Sequence, residues 1–338
     1  MIFSWNKPQW QNIMQRKDSL PHALLLRGRA GVGKLDFATL LSHALLCQQP
    51  RTAQSNGEQA NAEQACGTCT SCLWLKEWTH PDFKLISPED DSNSESSTKK
   101  KTGKKTQISV DQIRQLNDYL SLSTHQVKGR RIILITPAEA LNLASANALL
   151  KMLEDPPANT LFLLVASQPQ RLLPTIMSRC QVVDFPIPAK VDALTWLEEQ
   201  GVGNSEATLA YAGGAPLAAL QMQSQLENND NLLKQLSMGG KLNPFASAPL
   251  FLSAGMDGAI QLIQKWIFDL MSCQLAESAH YHAPQAATLQ ALCKSVNLSA
   301  LVQFQKNLVE AKRSANHPLS NEMQLENLLL QYTKIFQQ

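Results

Sequence analysis

Aliphatic positions in the first half of the chain fall into short runs separated by amphipathic stretches. Runs at Ala23 to Leu26, Phe83 to Ile86, Arg131 to Ile135, Leu161 to Val165 and Gln181 to Phe185 predict five strands. Between them, Phe37, Leu40, Leu41, Ala44 and Leu45 recur at helical spacing, as do Leu143, Ala146, Leu150 and Leu153. Pro156-Pro157 stops the second of these helices, because proline has no N–H to donate and crowds the preceding turn. Nearly unbroken apolar strands alternating with helices indicate a parallel sheet covered on both faces. Beyond Pro186-Ile187-Pro188 the strand pattern stops, leaving a short helical segment to about Asn228 and a longer all-helical region to Gln338, with no heptad run or internal repeat. The pattern therefore predicts an α/β plus all-α chain in three parts: a nucleotide-binding-like domain over 1–186, a small helical domain over 187–228 and a larger helical domain over 229–338.

Composition narrows the class. With 338 residues, 44% hydrophobic and 17% charged, the chain is long enough for more than one core and unlike a disordered protein. Its net charge of +2 supplies no global field toward nucleic acid or an anionic membrane, so any DNA contact is local or shared with partners. The first residues lack the basic-then-apolar order of a secretory signal and no apolar run is long enough to span a bilayer, so a soluble, cytoplasmic protein is expected. Residues 88–107 form an acidic-then-basic tract whose five lysines could touch phosphates. Without interleaved aromatics, the tract is better accounted for as a disordered, solvated insertion.

Two motifs carry chemistry. Gly28-Arg29-Ala30-Gly31-Val32-Gly33-Lys34-Leu35 lies between a predicted strand and a predicted helix, where G-x-x-x-x-G-K-[ST] cradles phosphate. Gly28, Gly31 and Gly33 would let backbone N–H groups approach phosphate oxygens, and Lys34 would reach the outer phosphates of ATP or ADP. The final hydroxyl is missing: Leu35 stands in its place and cannot ligate Mg²⁺. At the end of the third strand, where an acidic pair would hold the metal, stand Thr136-Pro137-Ala138-Glu139. Glu139 is the only nearby carboxylate there, and a surface or helix-capping role suits it. A loop with both losses either binds nucleotide weakly or is a glycine turn that binds nothing, and it does not hydrolyse nucleotide efficiently by itself. The second motif is Cys47, Cys66, Cys69 and Cys72, spaced C-x18-C-x2-C-x2-C, four soft thiolates able to close a tetrahedral zinc site at 47–72. The x2 spacings make a knuckle, the long first gap is the weak part of the pattern, and iron–sulfur ligation is the alternative. His80 is expected to be a turn residue before Pro81, while Cys180, Cys273, Cys293 and the six scattered tryptophans are expected in packing roles.

With these pieces placed, the chain resembles the bacterial DNA polymerase III delta prime family, clamp-loader members of the AAA+ superfamily. The resemblance rests on Leu20-Pro21-His22-Ala23-Leu24-Leu25, Cys66-Gly67-Thr68-Cys69-Thr70-Ser71-Cys72, Asn147-Ala148-Leu149-Leu150-Lys151-Met152-Leu153-Glu154-Asp155-Pro156-Pro157, Ser178-Arg179-Cys180 and Gln324-Leu325-Glu326-Asn327-Leu328-Leu329-Leu330, in that order. It implies a RecA-like AAA+ domain carrying zinc, a helical lid and a C-terminal helical collar that joins a hetero-pentamer. It also implies a relatively rigid stator beside ATP-hydrolysing gamma/tau motor subunits and a delta subunit, in a loader that places the beta sliding clamp on primed DNA. On the same resemblance the chain is a non-polymerising component of the DNA-directed DNA polymerase III holoenzyme. The Ser-Arg-Cys motif implies that Arg179 is an arginine finger acting in trans on a neighbour's γ-phosphate; an arginine there could otherwise pair with a local carboxylate. Leu217, in Gly213-Gly214-Ala215-Pro216-Leu217, stands where a motor subunit would present its sensor-2 arginine, and the sensor-1 position falls near Ala166-Ser167. The competing readings are an ATP-hydrolysing motor subunit of the gamma/tau type and a zinc-dependent DNA-binding module.

Overall fold

In the computed structural model, which describes residues 2–52, 63–88, 107–121, 129–314 and 321–336, the chain divides into two units, 1–189 and 190–338. The elements of the first unit are α1 (Lys7–Met14), β1 (Ala23–Gly28), α2 (Lys34–Leu46), β2 (Arg51–Thr52), β3 (Glu63–Gln64), α3 (Thr70–Lys76), β4 (Phe83–Ile86), α4 (Val110–Ser121), β5 (Arg131–Ile135), α5 (Leu143–Glu154), β6 (Thr160–Ala166), α6 (Pro174–Met177) and β7 (Gln181–Phe185). All five predicted strands form, and they make one sheet in the order β4-β5-β6-β1-β7, with every pairing parallel. Burial on both faces explains why the strands were visible as apolar runs: every residue of β5 and β6 is buried. β2 and β3 form a separate short antiparallel pair.

The topology gathers chemistry at one edge. Because β1, β5 and β6 are parallel, the turns after all three emerge together at their carboxyl ends, where ligands bind in open α/β sheets. These turns hold residues 29–33, 136–140 and 167–168. The helices match the periodicity except at one position. Leu143, assigned to the apolar stripe of α5, is 68% exposed, whereas Ala146 and Leu153 are buried and Leu150 is half-buried against the same core. Leu143 is the first residue of the helix, after the Asn142 cap whose side chain accepts the Ser145 N–H at 2.8 Å, and lies beyond the reach of the core.

The second unit is helical throughout its described residues: α7 (Lys190–Glu199), α8 (Ser205–Tyr211), α9 (Pro216–Ser237), α10 (Pro244–Leu252), α11 (Met256–Ala276), α12 (Ala286–Cys293), α13 (Leu298–Ser314) and α14 (Asn321–Lys334). One apolar cluster joins Ala193, Leu197, Val202, Leu209, Ala212 and Ala219; a larger one centres on Phe251, Trp266, Leu301 and Tyr332. α9 runs through position 228 and contributes to both, Ala219 to the first and Leu232, Leu233 and Leu236 to the second. In the larger core the Trp266 indole donates to the Tyr332 hydroxyl at 3.0 Å, which donates to the Leu236 carbonyl at 2.6 Å. Asp269, fully buried, accepts backbone N–H groups of His280, Tyr281 and His282 and lies 2.8 Å from His282 Nδ1. Cys273 and Cys293 are buried thiols, as expected. No described helix is long and apolar enough to cross a membrane. Of the lysine-rich insertion, residues 89–106, including all five lysines, lie outside the described residues.

Candidate functional site

Gly33 caps α2 with φ +89°, a left-handed conformation that glycine adopts without steric cost. The same position is also crowded: a Cβ there would lie 2.6 Å from the Phe3 ring. Gly28 is needed for a different reason, since a Cβ would sit 2.2 Å from the Phe185 carbonyl oxygen on neighbouring β7. The loop between them is held from the amino-terminal side. Trp5 Nε1 and Asn6 Nδ2 both donate to the Val32 carbonyl, at 3.1 and 3.0 Å, and Phe3 stacks on Trp5 with ring centroids 4.9 Å apart. Trp5 and Asn6 lie 27 and 26 residues from Val32 in sequence, and no local pattern announces them.

Lys34 is buried and folded back on its own loop. Its Nζ donates to the carbonyls of Gly28 at 2.8 Å and Arg29 at 2.7 Å. Burial lowers its pKa from the usual 10.5 to about 8, against an opposing pull from Glu139. Glu139 itself faces inward to the strand ends: Oε1 accepts the backbone N–H groups of Ser167 at 3.0 Å and Gln168 at 3.1 Å. It therefore caps the turn after β6, and not a helix, at the position where sensor 1 was expected. Leu35 is 44% exposed on the first turn of α2, presenting alkyl surface where a metal-holding hydroxyl would stand. Among the described residues, the retained loop, Lys34 and Glu139 thus share one edge of the sheet, with Leu35 at the place of the loop hydroxyl and the Glu139 carboxylate bonded to backbone N–H groups.

Arg179 follows α6, between β6 and β7. Its Nη2 pairs with Glu154 Oε1 at 2.7 Å, and Nη1 donates to the Thr175 carbonyl at 3.0 Å. Glu154 is the last residue of α5, so the pair joins two of the motif segments on which the resemblance rests. The pair is partly exposed, with the arginine side chain 34% accessible, which leaves its charge at the surface of the unit. Cys180 beside it is half-buried against the sheet core, and burial pushes its thiol up to about 11.

The four cysteines come together despite the long first gap. Their sulfurs all lie within 4.8 Å of one another, with Cys47 to Cys69 and Cys66 to Cys72 each at 3.9 Å. A tetrahedron with metal–sulfur bonds of about 2.3 Å has edges of about 3.8 Å, so the donor set and spacing fit zinc. Backbone N–H groups point at the sulfurs, as in a knuckle: Thr68 and Cys69 donate to Cys66 Sγ at 3.5 and 3.3 Å, and Cys66 donates to Cys47 Sγ at 3.3 Å. The bonds from Thr68 and Cys69 bring the Cys66 thiol down to about 5, whereas burial pushes Cys72 up. His80 is not a simple turn residue: it is buried, with Nε2 2.8 Å from the Ser71 hydroxyl.

The model of the family described as DNA polymerase III, delta subunit, matches residues 6–189, and the model of its C-terminal region matches residues 223–334. A DNA polymerase III subunit delta' from Pseudomonas aeruginosa is 37% identical over 228 residues, covering 66% of this chain and 62% of that protein. The one from Haemophilus influenzae is 30% identical over 287 residues, covering 82% and 80%. The chain belongs to the DNA polymerase III delta prime subunit family. The subunit delta' of Escherichia coli K12 is 32% identical over 225 residues, covering 65% of this chain and 60% of that protein. The matched stretch spans about three fifths of the length of the Pseudomonas and Escherichia relatives. The first family model ends at residue 189, where the sheet unit also ends. Among solved structures, a DNA polymerase III gamma subunit-related protein from Thermotoga maritima aligns over 97% of this chain and 99% of that one, with 18% identity and a TM-score of 0.47.

Proposed function

We propose that this chain is the non-hydrolysing stator of a DNA polymerase III clamp loader, assembling with gamma/tau motor subunits and a delta subunit in the cytoplasm to place the beta sliding clamp on primed DNA. In this reading residues 187–228 serve as the lid and residues 229–338 as the collar of the hetero-pentamer. The observation that carries it is the state of the strand-end edge. Leu35 replaces the metal-binding hydroxyl, and Glu139, the carboxylate that follows β5 in the sequence, is engaged by the Ser167 and Gln168 N–H groups. Leu217, in the first turn of α9, removes the lid arginine that would sense a bound γ-phosphate.

The chain's own groups then divide the work. Gly28, Gly31, Gly33 and Lys34 keep the form of a phosphate cradle, with the lysine charge already occupied by two loop carbonyls. Arg179 exchanges its Glu154 partner for the γ-phosphate held by a neighbouring motor subunit, where a guanidinium fork stabilises the charge spreading over the transferred group. Cys47, Cys66, Cys69 and Cys72 hold zinc, which supplies a structural cross-link between the end of α2 and α3.

Reconstitution tests the assignment. The purified chain alone should release no phosphate from ATP above background, while the mixed assembly with primed DNA and clamp should turn over ATP. Fast, magnesium-dependent turnover by the partner-free chain, abolished by Lys34→Ala, would identify it as a motor subunit instead.

A further inference from the structure

The weak part of the cysteine pattern is the gap between Cys47 and Cys66, yet the Cys47 sulfur lies within 4.8 Å of the other three. The structure supplies the link elsewhere. Ser71, between Cys69 and Cys72 on the first turn of α3, is fully buried, and its hydroxyl lies 2.6 Å from the carbonyl of Leu46, the residue before Cys47. On its other side stands His80 Nε2 at 2.8 Å. His80 Nδ1 accepts the backbone N–H of Asp82 at 3.0 Å. A backbone N–H can only donate, so Nδ1 is the bare nitrogen and Nε2 carries the proton. The chain of bonds then runs one way: Asp82 N–H to His80 Nδ1, His80 Nε2–H to Ser71 Oγ, and Ser71 O–H to the Leu46 carbonyl. Its two side chains, Ser71 and His80, are both at least nine-tenths buried, and the His80 ring packs edge-on against Trp74 at 5.9 Å.

Resting on the zinc reading above, we propose that Ser71 and His80 are positioning residues for the metal centre, setting the Cys47 sulfur against the knuckle formed by Cys66, Cys69 and Cys72. The bond to Leu46 stops the end of α2 from drifting away from α3. His80 in turn ties Ser71 to the start of β4, because the Asp82 carbonyl accepts the Ile132 N–H of β5 at 2.9 Å. The cysteine module is thereby registered on the edge of the sheet.

Competition for zinc between the full chain and a chromogenic chelator tests this, with the cobalt-substituted protein reporting the number of bound thiolates. Ser71→Ala and His80→Ala should each weaken zinc binding about 10- to 100-fold, the range seen when outer-shell groups that orient ligands are removed. Their thiolate-to-cobalt absorption should fall toward the level of Cys47→Ser. His80→Gln, whose amide can restore a donor near the Nε2 position, should regain most of the lost affinity. In a Cys47→Ser background, Ser71→Ala should add little, because the ligand it positions is already gone. Wild-type affinity and a wild-type cobalt spectrum in both alanine variants would overturn the assignment, as would a full additional loss on top of Cys47→Ser. If the wild-type chain itself bound no zinc and gave no thiolate band with cobalt, the metal reading would fall, an outcome distinct from either of these.

Discussion

Arg179 Nη2 lies 2.7 Å from Glu154 Oε1, so the arginine of the Ser-Arg-Cys segment is held by the last residue of α5. The pair is partly exposed, and exposed ion pairs contribute only about 0–1 kcal/mol. Glu154 can therefore orient the guanidinium without competing strongly with a phosphate. Arg179→Ala should leave the melting temperature nearly unchanged and the assembly intact, while slowing hydrolysis at the neighbouring site about 10³-fold or more. Single-turnover ATP hydrolysis by reconstituted loader checks this, and an unaltered rate at that site would remove Arg179 from the chemistry.

Lys34 gives the phosphate loop a pH signature. Its folded pKa of about 8 lies below the ordinary 10.5, because burial disfavours the charged form. Between these values the unfolded chain binds more protons than the folded one, so stability rises with pH across that window, and the burial penalty is fully present below it. Urea unfolding midpoints from pH 7.5 to 10.5 should therefore show a rising component that vanishes in Lys34→Met. An identical slope in the variant would mean that another group is titrating.

Gly33→Ala combines a left-handed backbone with a collision on the Phe3 ring. A destabilisation of about 1–3 kcal/mol is expected, as for other residues forced into sparsely populated backbone regions. Phe3→Ala in the same chain should relieve the clash and recover only part of the loss, since the backbone strain remains. Denaturant melts of the single and double variants separate the two contributions.

Zinc removal should act locally. Metal analysis is expected to find about one zinc per chain, and a strong chelator should lower the melting temperature and expose all four thiols to a colorimetric reagent. Cys66→Ser should be at least as damaging as chelation, because Cys66 Sγ accepts two backbone N–H groups as well as serving as a ligand. Full thermal stability after complete metal loss would show that the knuckle holds itself.

Asp269 organises the helical unit. Its pKa is lowered despite burial, by the His282 side chain and by the backbone N–H groups of Tyr281 and His280. A depressed carboxyl contributes stability above its ordinary value of 3.8, and that stability is lost as pH falls through the folded value. Asp269→Ala should cost about 3 kcal/mol or more, since several buried donors lose their acceptor together. Unfolding followed between pH 2 and 5 should show an acid-dependent component in the wild type that the variant lacks.

Strand positions, the glycine loop and the two tight cysteine spacings were open to inspection along the chain, for one physical reason. Buried parallel strands demand apolar runs, and a phosphate turn or metal knuckle places its chemistry within a few consecutive residues. Other features depend on segments far apart. Leu143 was misassigned because periodicity carries no information about where a neighbouring core ends. Glu139 is nondescript until the ends of β5 and β6 lie side by side and its carboxylate meets the Ser167 and Gln168 N–H groups. The same holds for Trp5 and Asn6 on the Val32 carbonyl, for Glu154 beside Arg179, and for Ser71 on the carbonyl of Leu46, the residue before Cys47. Local spacing determined which residues could do chemistry. Packing decided which of them meet, because hydrogen bonds and ion pairs across 20 or more residues exist only once the sheet has set those distances.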